Sequence, residues 1–481
     1  MSPHNSASLS NPAITALGAH PFPRIARLLA GLDPAPGLPP LDMSIGEPQV
    51  GPPGWATALI SESPELWRTY PPNQGPARFR QAARAWLARR FDLGDPAPTQ
   101  LDLVPTAGAR EALFQVGLLV AGRAGRGLIA MPTPHYAPYR AAAFSAGLRP
   151  LYLAAMPETG YLLDLDVVEA HADGLAALLL CSPSNPEGVC APAQYLARAL
   201  ELARRHDFVL VVDECYSELY HRAPPIGALE VAWRLGGARP ARNLVTINSL
   251  SKRSGAAGLR VGLVAGDPEL VAALVSLRAY GGGTTPLPNL VVGAALYEDE
   301  THVREIRAGY RASFSVAEEV LSGTKEPTGA PGPGGTTDAR GTAGRAGTAG
   351  LGGAEAGMFL WLPVLDDEAV VREAWRRAAV RLVPGGYLGP AGHDGRWPGR
   401  THVRVAMTYS PDLTREALER LRPVLEDATL FPRSAEPTML SRSAEPAGLR
   451  RPAEPAMFSG AADPVTSGLG PEDPVPIGTG R

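Results

Sequence analysis

Short apolar runs alternate with stretches of helical spacing through the middle of the chain. The runs predict strands over Leu101–Val104, Gly127–Met131, Arg149–Leu153, Ala176–Cys181, Phe208–Val212, Leu244–Ile247 and Val261–Ala265. Phe208–Val212 is apolar at every position, as a strand covered on both faces should be. Helical spacing runs from Thr106 to Leu119, up to Ala146, and from Pro192 to Arg205. Strands alternating with helices predict a mainly parallel α/β sheet. Such sheets bind ligands beyond the carboxyl ends of their strands. Thr106, Asn185, Asp213 and Ser249 each follow an apolar run, so they are expected at that edge.

The flanks read differently. Pro23 to Leu32 predicts a short amphipathic helix, and Leu41 to Pro48 an extended piece ending in a tight bend. A helix starts at Pro76 and places Phe79, Ala82, Ala83, Trp86, Leu87 and Ala88 on its apolar positions. Pro268 to Tyr280 and Leu290 to Ser322 are expected to be helical. Residues 323–353 are Gly, Ala, Thr and Pro with few apolar anchors and predict a flexible insert. Strands are then expected over Met358–Leu362, Val380–Val383 and His402–Met407, with helices over Asp366–Ala378 and Pro411–Glu426. Beyond Pro432 a short motif, Arg433-Ser-Ala-Glu-Pro437, recurs at Arg442 and in altered form at Arg451, which predicts a disordered low-complexity tail. The expected organisation is an N-terminal arm (1–20), a first segment of a small domain (21–48), a large domain (49–290), the rest of an α+β small domain (291–428) and the tail (429–481).

Composition narrows the class. The 481 residues are 45% hydrophobic and 19% charged, which is globular and long enough for more than one core. A net charge of -3 without a basic block gives no nucleic-acid footprint. Met1 to His20 lacks the pattern of a signal peptide, and no uncharged apolar run approaches the roughly 20 residues that span a bilayer. A soluble, cytoplasmic protein with no membrane partner is expected. Cys181, Cys190 and Cys215 do not form a disulfide framework and read as small buried thiols. No Cys-x-x-Cys or His-Glu-x-x-His pattern occurs, so no metal is expected.

Of the 45 basic residues only Lys252 and Lys325 are lysines. A guanidinium cannot form a Schiff base, whereas a primary amine with a lowered pKa can. Lys325 lies in the Gly-rich insert. Lys252 follows an apolar run, with Ser249 and Ser251 before it and Arg260 eight residues on. Hydroxyls and an arginine beside an amine suit a phosphate-bearing aldehyde; an ordinary surface lysine in a Ser/Gly loop is the alternative. Asp213 ends the Val209–Val212 run, where an acid needs a positive or donating partner. A protonated pyridine nitrogen would serve, and so would a helix to cap. Asn185, in Cys181-Ser-Pro-Ser-Asn185-Pro186-Glu-Gly188, is a ring-oxygen donor or a plain turn, with Tyr216 as a second donor. Gly108, Ala109 and Arg110 open a helix, a place that binds phosphate through backbone N–H groups or binds nothing. Tyr136 and Tyr139 could stack on a flat ring or pack in the core. Arg404, inside a predicted strand, needs an anion: a substrate carboxylate or a structural carboxylate.

Together these residues resemble fold-type I pyridoxal-phosphate aminotransferases of class I/II over roughly residues 20–428. Asn185-Pro186-x-Gly188, Asp213-x-x-Tyr216 and Ser249-x-Ser251-Lys252 with Arg260 stand in that family's order and spacing. The resemblance implies an α/β large domain with a smaller α+β domain, and pyridoxal 5'-phosphate as cofactor. It implies that Lys252 carries the Schiff base and moves the proton at the substrate α-carbon. Asp213 would pair with the ring nitrogen, Asn185 and Tyr216 with the ring oxygen, and Tyr136 would stack on the ring. Gly108, Ala109, Arg110, Ser249, Ser251 and Arg260 would form the phosphate cup. Arg404, with Asn185 and the backbone at Gly46, would hold the substrate carboxylate. Tyr70, in Tyr70-Pro-Pro-Asn-Gln-Gly75, would reach the partner subunit's phosphate, which makes a homodimer with shared sites.

A narrower resemblance is to bacterial N-succinyldiaminopimelate aminotransferases of lysine biosynthesis. Its motifs are Ser-Leu-Ser-Lys-Arg-Ser around Lys252, Ser44-Ile-Gly-Glu-Pro48, Asp213-Glu-Cys-Tyr-Ser-Glu218 and Glu300-Thr-His-Val-Arg-Glu305. It implies amino exchange between glutamate and N-succinyl-2-amino-6-ketopimelate. Glu187 departs from the usual Thr, and Gly255-Ala-Ala257 from an Asn-Leu-Pro-like segment. Transamination of another amino acid and a β-lyase on the same scaffold are the alternatives. A DNA-binding regulator is disfavoured by the short N-terminal stretch, and a nicotinamide dehydrogenase by the lack of Gly-x-Gly-x-x-Gly after the early strands.

Overall fold

The seven apolar runs of the middle region form one sheet in the computed structural model of the protein, which describes residues 17–62, 64–322 and 354–431. In chain order the strands are β1 (Leu41–Asp42), β2 (Asp102–Thr106), β3 (Leu128–Thr133), β4 (Arg149–Ala154), β5 (Leu175–Cys181), β6 (Val209–Asp213), β7 (Leu244–Ser249), β8 (Gly262–Gly266), β9 (Phe359–Pro363), β10 (Val380–Arg381), β11 (Val383–Pro384) and β12 (His402–Ala406). The large sheet runs β2-β8-β7-β6-β5-β3-β4. Only β8 is antiparallel to its neighbours.

Side-chain alternation assigns the two faces. Leu178, Leu180, Leu210 and Val212 join one apolar cluster, while Ala177, Leu179, Val209 and Val211 join another. Both faces are therefore dry, which is why these strands read as continuous apolar runs. Helices Ala77–Arg90, Ala193–His206 and Leu287–Glu298 feed the first cluster. Helices Ala109–Val120, Pro138–Ser145 and Pro268–Arg278 feed the second. A third cluster, around Trp361, Val370 and Val403, covers the antiparallel sheet β11-β12-β9.

Four local expectations need correction. Val380–Val383 is two short strands: β10 pairs with β1, and β11 pairs with β12 in a different sheet. Leu290–Ser322 is two helices, Leu287–Glu298 and Thr301–Ser322. The break has a cause: Asp299 is extended, and its carboxylate accepts from the amides of Thr301 (3.2 Å) and His302 (3.1 Å), capping the second helix. The first amphipathic helix spans Pro21–Leu28, earlier than expected. Helices at Leu165–Ala170 and Ala228–Leu235 were not anticipated. Lys325, the insert 323–353, most of the arm and the tail from 432 lie outside the described residues.

Candidate active site

The large sheet ends its parallel strands at one cleft. Ser249 closes β7, and its side chain caps the short helix Leu250–Arg253 by accepting from the Ser251 amide at 3.2 Å. That helix carries Lys252. Its amine donates to the Gly46 carbonyl. Burial lowers the Lys252 pKa from 10.5 to about 8, so a free, nucleophilic amine is accessible near neutral pH.

Behind Lys252 the two stretches Lys252-Arg-Ser and Glu300-Thr-His meet. Arg253, 1% exposed, donates to Leu296 O at 2.6 Å and to Glu300 Oε1 at 2.7 Å. Its guanidinium lies 5.3 Å from the ring centroids of both Trp86 and Tyr297. His302 sits between Asp299 Oδ2 and Ser254 Oγ, the latter at 2.9 Å. Gly255, at φ +60°, lets the backbone at Val50 close in: a Cβ there would stand 2.3 Å from Val50 O.

Asp213 ends β6, fully inside the protein. It accepts from Tyr139 Oη at 2.8 Å and from the Cys215 amide at 3.1 Å. Burial still pushes its carboxyl pKa up, so the site favours an added cationic partner. Asn185 donates to Tyr216 Oη at 3.3 Å and accepts from Arg404 Nη1 at 3.2 Å. Arg404 Nη2 donates to Ser44 O at 2.9 Å, and its Nε has no partner. Burial draws the Arg404 pKa down to about 10, and no carboxylate meets it among the described residues. Phe359 lies under the guanidinium, 4.2 Å from carbon to ring centroid.

The remaining donors gather around the start of helix Ala109–Val120. Gly108 precedes it at φ +81°, and a Cβ there would stand 2.6 Å from Arg260 Nη2. Only glycine lets Arg260 approach. Arg260 donates to Ala107 O at 2.7 Å and Ala257 O at 2.8 Å. Ser249 Oγ and Ser251 Oγ are 2.9 Å apart. Hydroxyls, a guanidinium and the orphan amides of a helix start form an anion cradle.

Twelve residues singled out in the sequence line this one cleft: Gly46, Ala109, Arg110, Tyr136, Asn185, Asp213, Tyr216, Ser249, Ser251, Lys252, Arg260 and Arg404. Gly108 is not in the lining but packs against Arg260, which is. Tyr70 does not line the cleft of its own chain; it is 96% exposed. Sequence reading missed Tyr139 as the Asp213 partner, and also Cys181, Cys215, His135 and Phe359 in the lining. The spacing Tyr136-x-x-Tyr139 was the available signal, but it looks the same in a core helix. Glu187 is buried and outside the lining, with Oε1 unpartnered and its pKa raised by burial to about 7. Ala257 does line the cleft.

These residues fit pyridoxal phosphate. Asp213 would offer a buried carboxylate to the ring nitrogen, Asn185 and Tyr216 would meet the ring oxygen, Lys252 would supply the amine, and the Gly108–Arg260 cradle would hold the phosphate. Among the described residues no helix is long and apolar enough to cross a membrane, and no three potential ligands cluster for a metal.

Comparison with known proteins agrees with this arrangement. Residues 39–421 match the family model Aminotransferase class I and II. A Mycobacterium tuberculosis protein named a probable aminotransferase is 30% identical over 404 residues, 82% of each chain. An LL-diaminopimelate aminotransferase of Syntrophobacter fumaroxidans is 26% identical over 410 residues, 83% of this chain and 95% of the other. A crystallised aminotransferase from Neisseria meningitidis superposes with a TM-score of 0.76 at 28% identity, covering 86% of this chain and 100% of the other. A half-buried amine of lowered pKa, a buried carboxylate and an anion cradle thus sit at the strand ends of a chain that belongs to the class I and II aminotransferases, which depend on pyridoxal phosphate.

Proposed function

We propose that this transaminase exchanges an amino group between glutamate and N-succinyl-2-amino-6-ketopimelate, as a cytoplasmic homodimer in which Tyr70 serves the partner subunit's phosphate site. The observation that carries the reading is the charge of the cleft. Arg404 and Arg110 line it with no carboxylate partner among the described residues, while Arg260 belongs to the phosphate cradle. Such a lining suits substrates with a carboxylate at each end. The likeness to LL-diaminopimelate aminotransferases, and the motifs at Lys252 and Glu300, support the same substrate class.

In this reading Arg404 fixes the α-carboxylate with its two outer nitrogens. Asn185 holds Arg404 in place while donating toward Tyr216. Lys252, losing its proton near pH 8, moves the proton at the substrate α-carbon. Asp213 keeps the ring nitrogen protonated, and the bound cofactor supplies an electron sink. Tyr70 is 96% exposed on its own chain, which is compatible with this reading.

A panel of 2-oxo acids with glutamate as donor tests this. N-succinyl-2-amino-6-ketopimelate should give the highest kcat/KM, above its N-acetyl counterpart and above pyruvate. Preference for an aromatic or short 2-oxo acid would overturn the substrate, and release of pyruvate and ammonia from a cysteine-type substrate would indicate a β-lyase.

A further inference from the structure

Lys252 sits on a helix of four residues, Leu250–Arg253. One turn cannot hold itself, because nucleating a helix costs more than a single hydrogen bond returns. The aim of the Lys252 side chain is therefore set by what ties the turn at each end. Ser249 caps its front. Ser254 closes its rear: its amide donates to Leu250 O at 3.0 Å, and its hydroxyl meets His302 Nε2 at 2.9 Å. His302 lies 48 positions beyond Ser254, in the first turn of the 22-residue helix Thr301–Ser322.

The proton positions follow from the acceptors. Against burial, hydrogen bonds from His302 and Thr301 hold the Asp299 carboxyl at about 2, so this carboxylate only accepts. His302 Nδ1 therefore carries the proton given to Asp299 Oδ2. Burial keeps the imidazole neutral against the pull of Asp299, which leaves Nε2 an acceptor. The Ser254 hydroxyl donates to it, and the Ser254 oxygen accepts from Arg253 Nη1 at 3.3 Å. Each proton has one acceptor. Ser, His and Asp are linked here in the order used by hydrolytic enzymes, but Ser254 is 0% exposed and His302 4%, so no substrate reaches the hydroxyl. A chain of bonds sealed from solvent holds its neighbours in place and attacks nothing.

We propose that His302 is a positioning residue for Lys252: it grips Ser254 and so fixes the turn that carries the amine. The inference rests on Lys252 being the amine that engages the cofactor.

The test uses the holoenzyme with glutamate as donor. Ser254→Ala and His302→Phe should each lower kcat about tenfold at unchanged KM, since a slightly displaced reacting group loses rate and not affinity. The double variant should fall no further than either single one, because both cut the same link. His302→Gln, whose amide oxygen can take the Ser254 proton, should recover most of kcat. Visible circular dichroism of the bound cofactor should weaken in Ser254→Ala and His302→Phe and return in His302→Gln, while the far-ultraviolet dichroism stays the same. If His302→Phe does not fold, Ser254→Ala against His302→Gln carries the comparison. Losses that add in the double variant, or unchanged kcat and visible dichroism in Ser254→Ala, would overturn the positioning role and leave Lys252 as the amine. Transamination that survives Lys252→Ala would overturn both.

Discussion

Arg253 and Arg404 are both buried arginines within reach of the Lys252 site, yet they live in opposite electrostatic settings. Arg253 meets a carboxylate, Glu300, and two aromatic faces. Arg404 meets one backbone carbonyl, a side-chain amide and a ring, with no carboxylate among the described residues. Arg278 resembles the first, paired with Glu111. A buried guanidinium whose charge is answered inside the protein holds the fold. One whose charge is left unanswered is held ready for an anion that the fold does not contain. In a chain that uses arginine for nearly every positive charge, this pairing separates the two roles where residue identity cannot.

The comparison makes graded predictions. If Arg404 holds the substrate carboxylate as proposed, Arg404→Leu removes two charge-assisted contacts, so kcat/KM should fall about a thousandfold, roughly 4 kcal/mol, with Tm unchanged or higher. Arg253→Leu should behave oppositely. Breaking a buried pair costs about 3–5 kcal/mol, read as a lower midpoint in urea unfolding, and the effect on KM should be small.

Lys252 belongs with the unanswered charges. Its amine titrates near 10.5 when unfolded and near 8 when folded, so the folded chain binds that proton less readily. The penalty is full below pH 8 and disappears as pH rises through 10.5. In the cofactor-free protein, Lys252→Met should therefore stabilise by about 3 kcal/mol at pH 7 and by almost nothing above pH 10.5, measured by urea unfolding across pH. Stabilisation that does not vary with pH would locate the effect in packing instead. The smallest effect is expected from Tyr139→Phe. Losing its hydrogen bond to Asp213 should lower kcat about fivefold, near 1 kcal/mol, without changing KM for glutamate.

Much of this was legible in the sequence because strand ends leave a clear mark. A parallel sheet buried on both faces writes its strands as apolar runs, and the polar residue after each run is the one at the ligand edge. Asn185, Asp213 and Ser249 were found that way. What escaped depended on partners distant in the chain. Nothing local tells that Val380–Val383 splits between two sheets, because β1 and β12 make that choice. Tyr139 looked like a core residue, and its bond to Asp213 spans 74 positions. Arg253 and Glu300 were noticed as separate motifs, and only folding shows that they touch.

The central claim is that Lys252 is the amine that engages the cofactor. With two lysines in the chain, borohydride reduction of the holoenzyme followed by peptide mass spectrometry gives a direct answer. The reduced cofactor should be found on the peptide containing Lys252, at one equivalent per chain, with the Lys325 peptide unmodified. Recovery of the adduct on Lys325, or of an unmodified Lys252 peptide from fully active enzyme, would contradict the account.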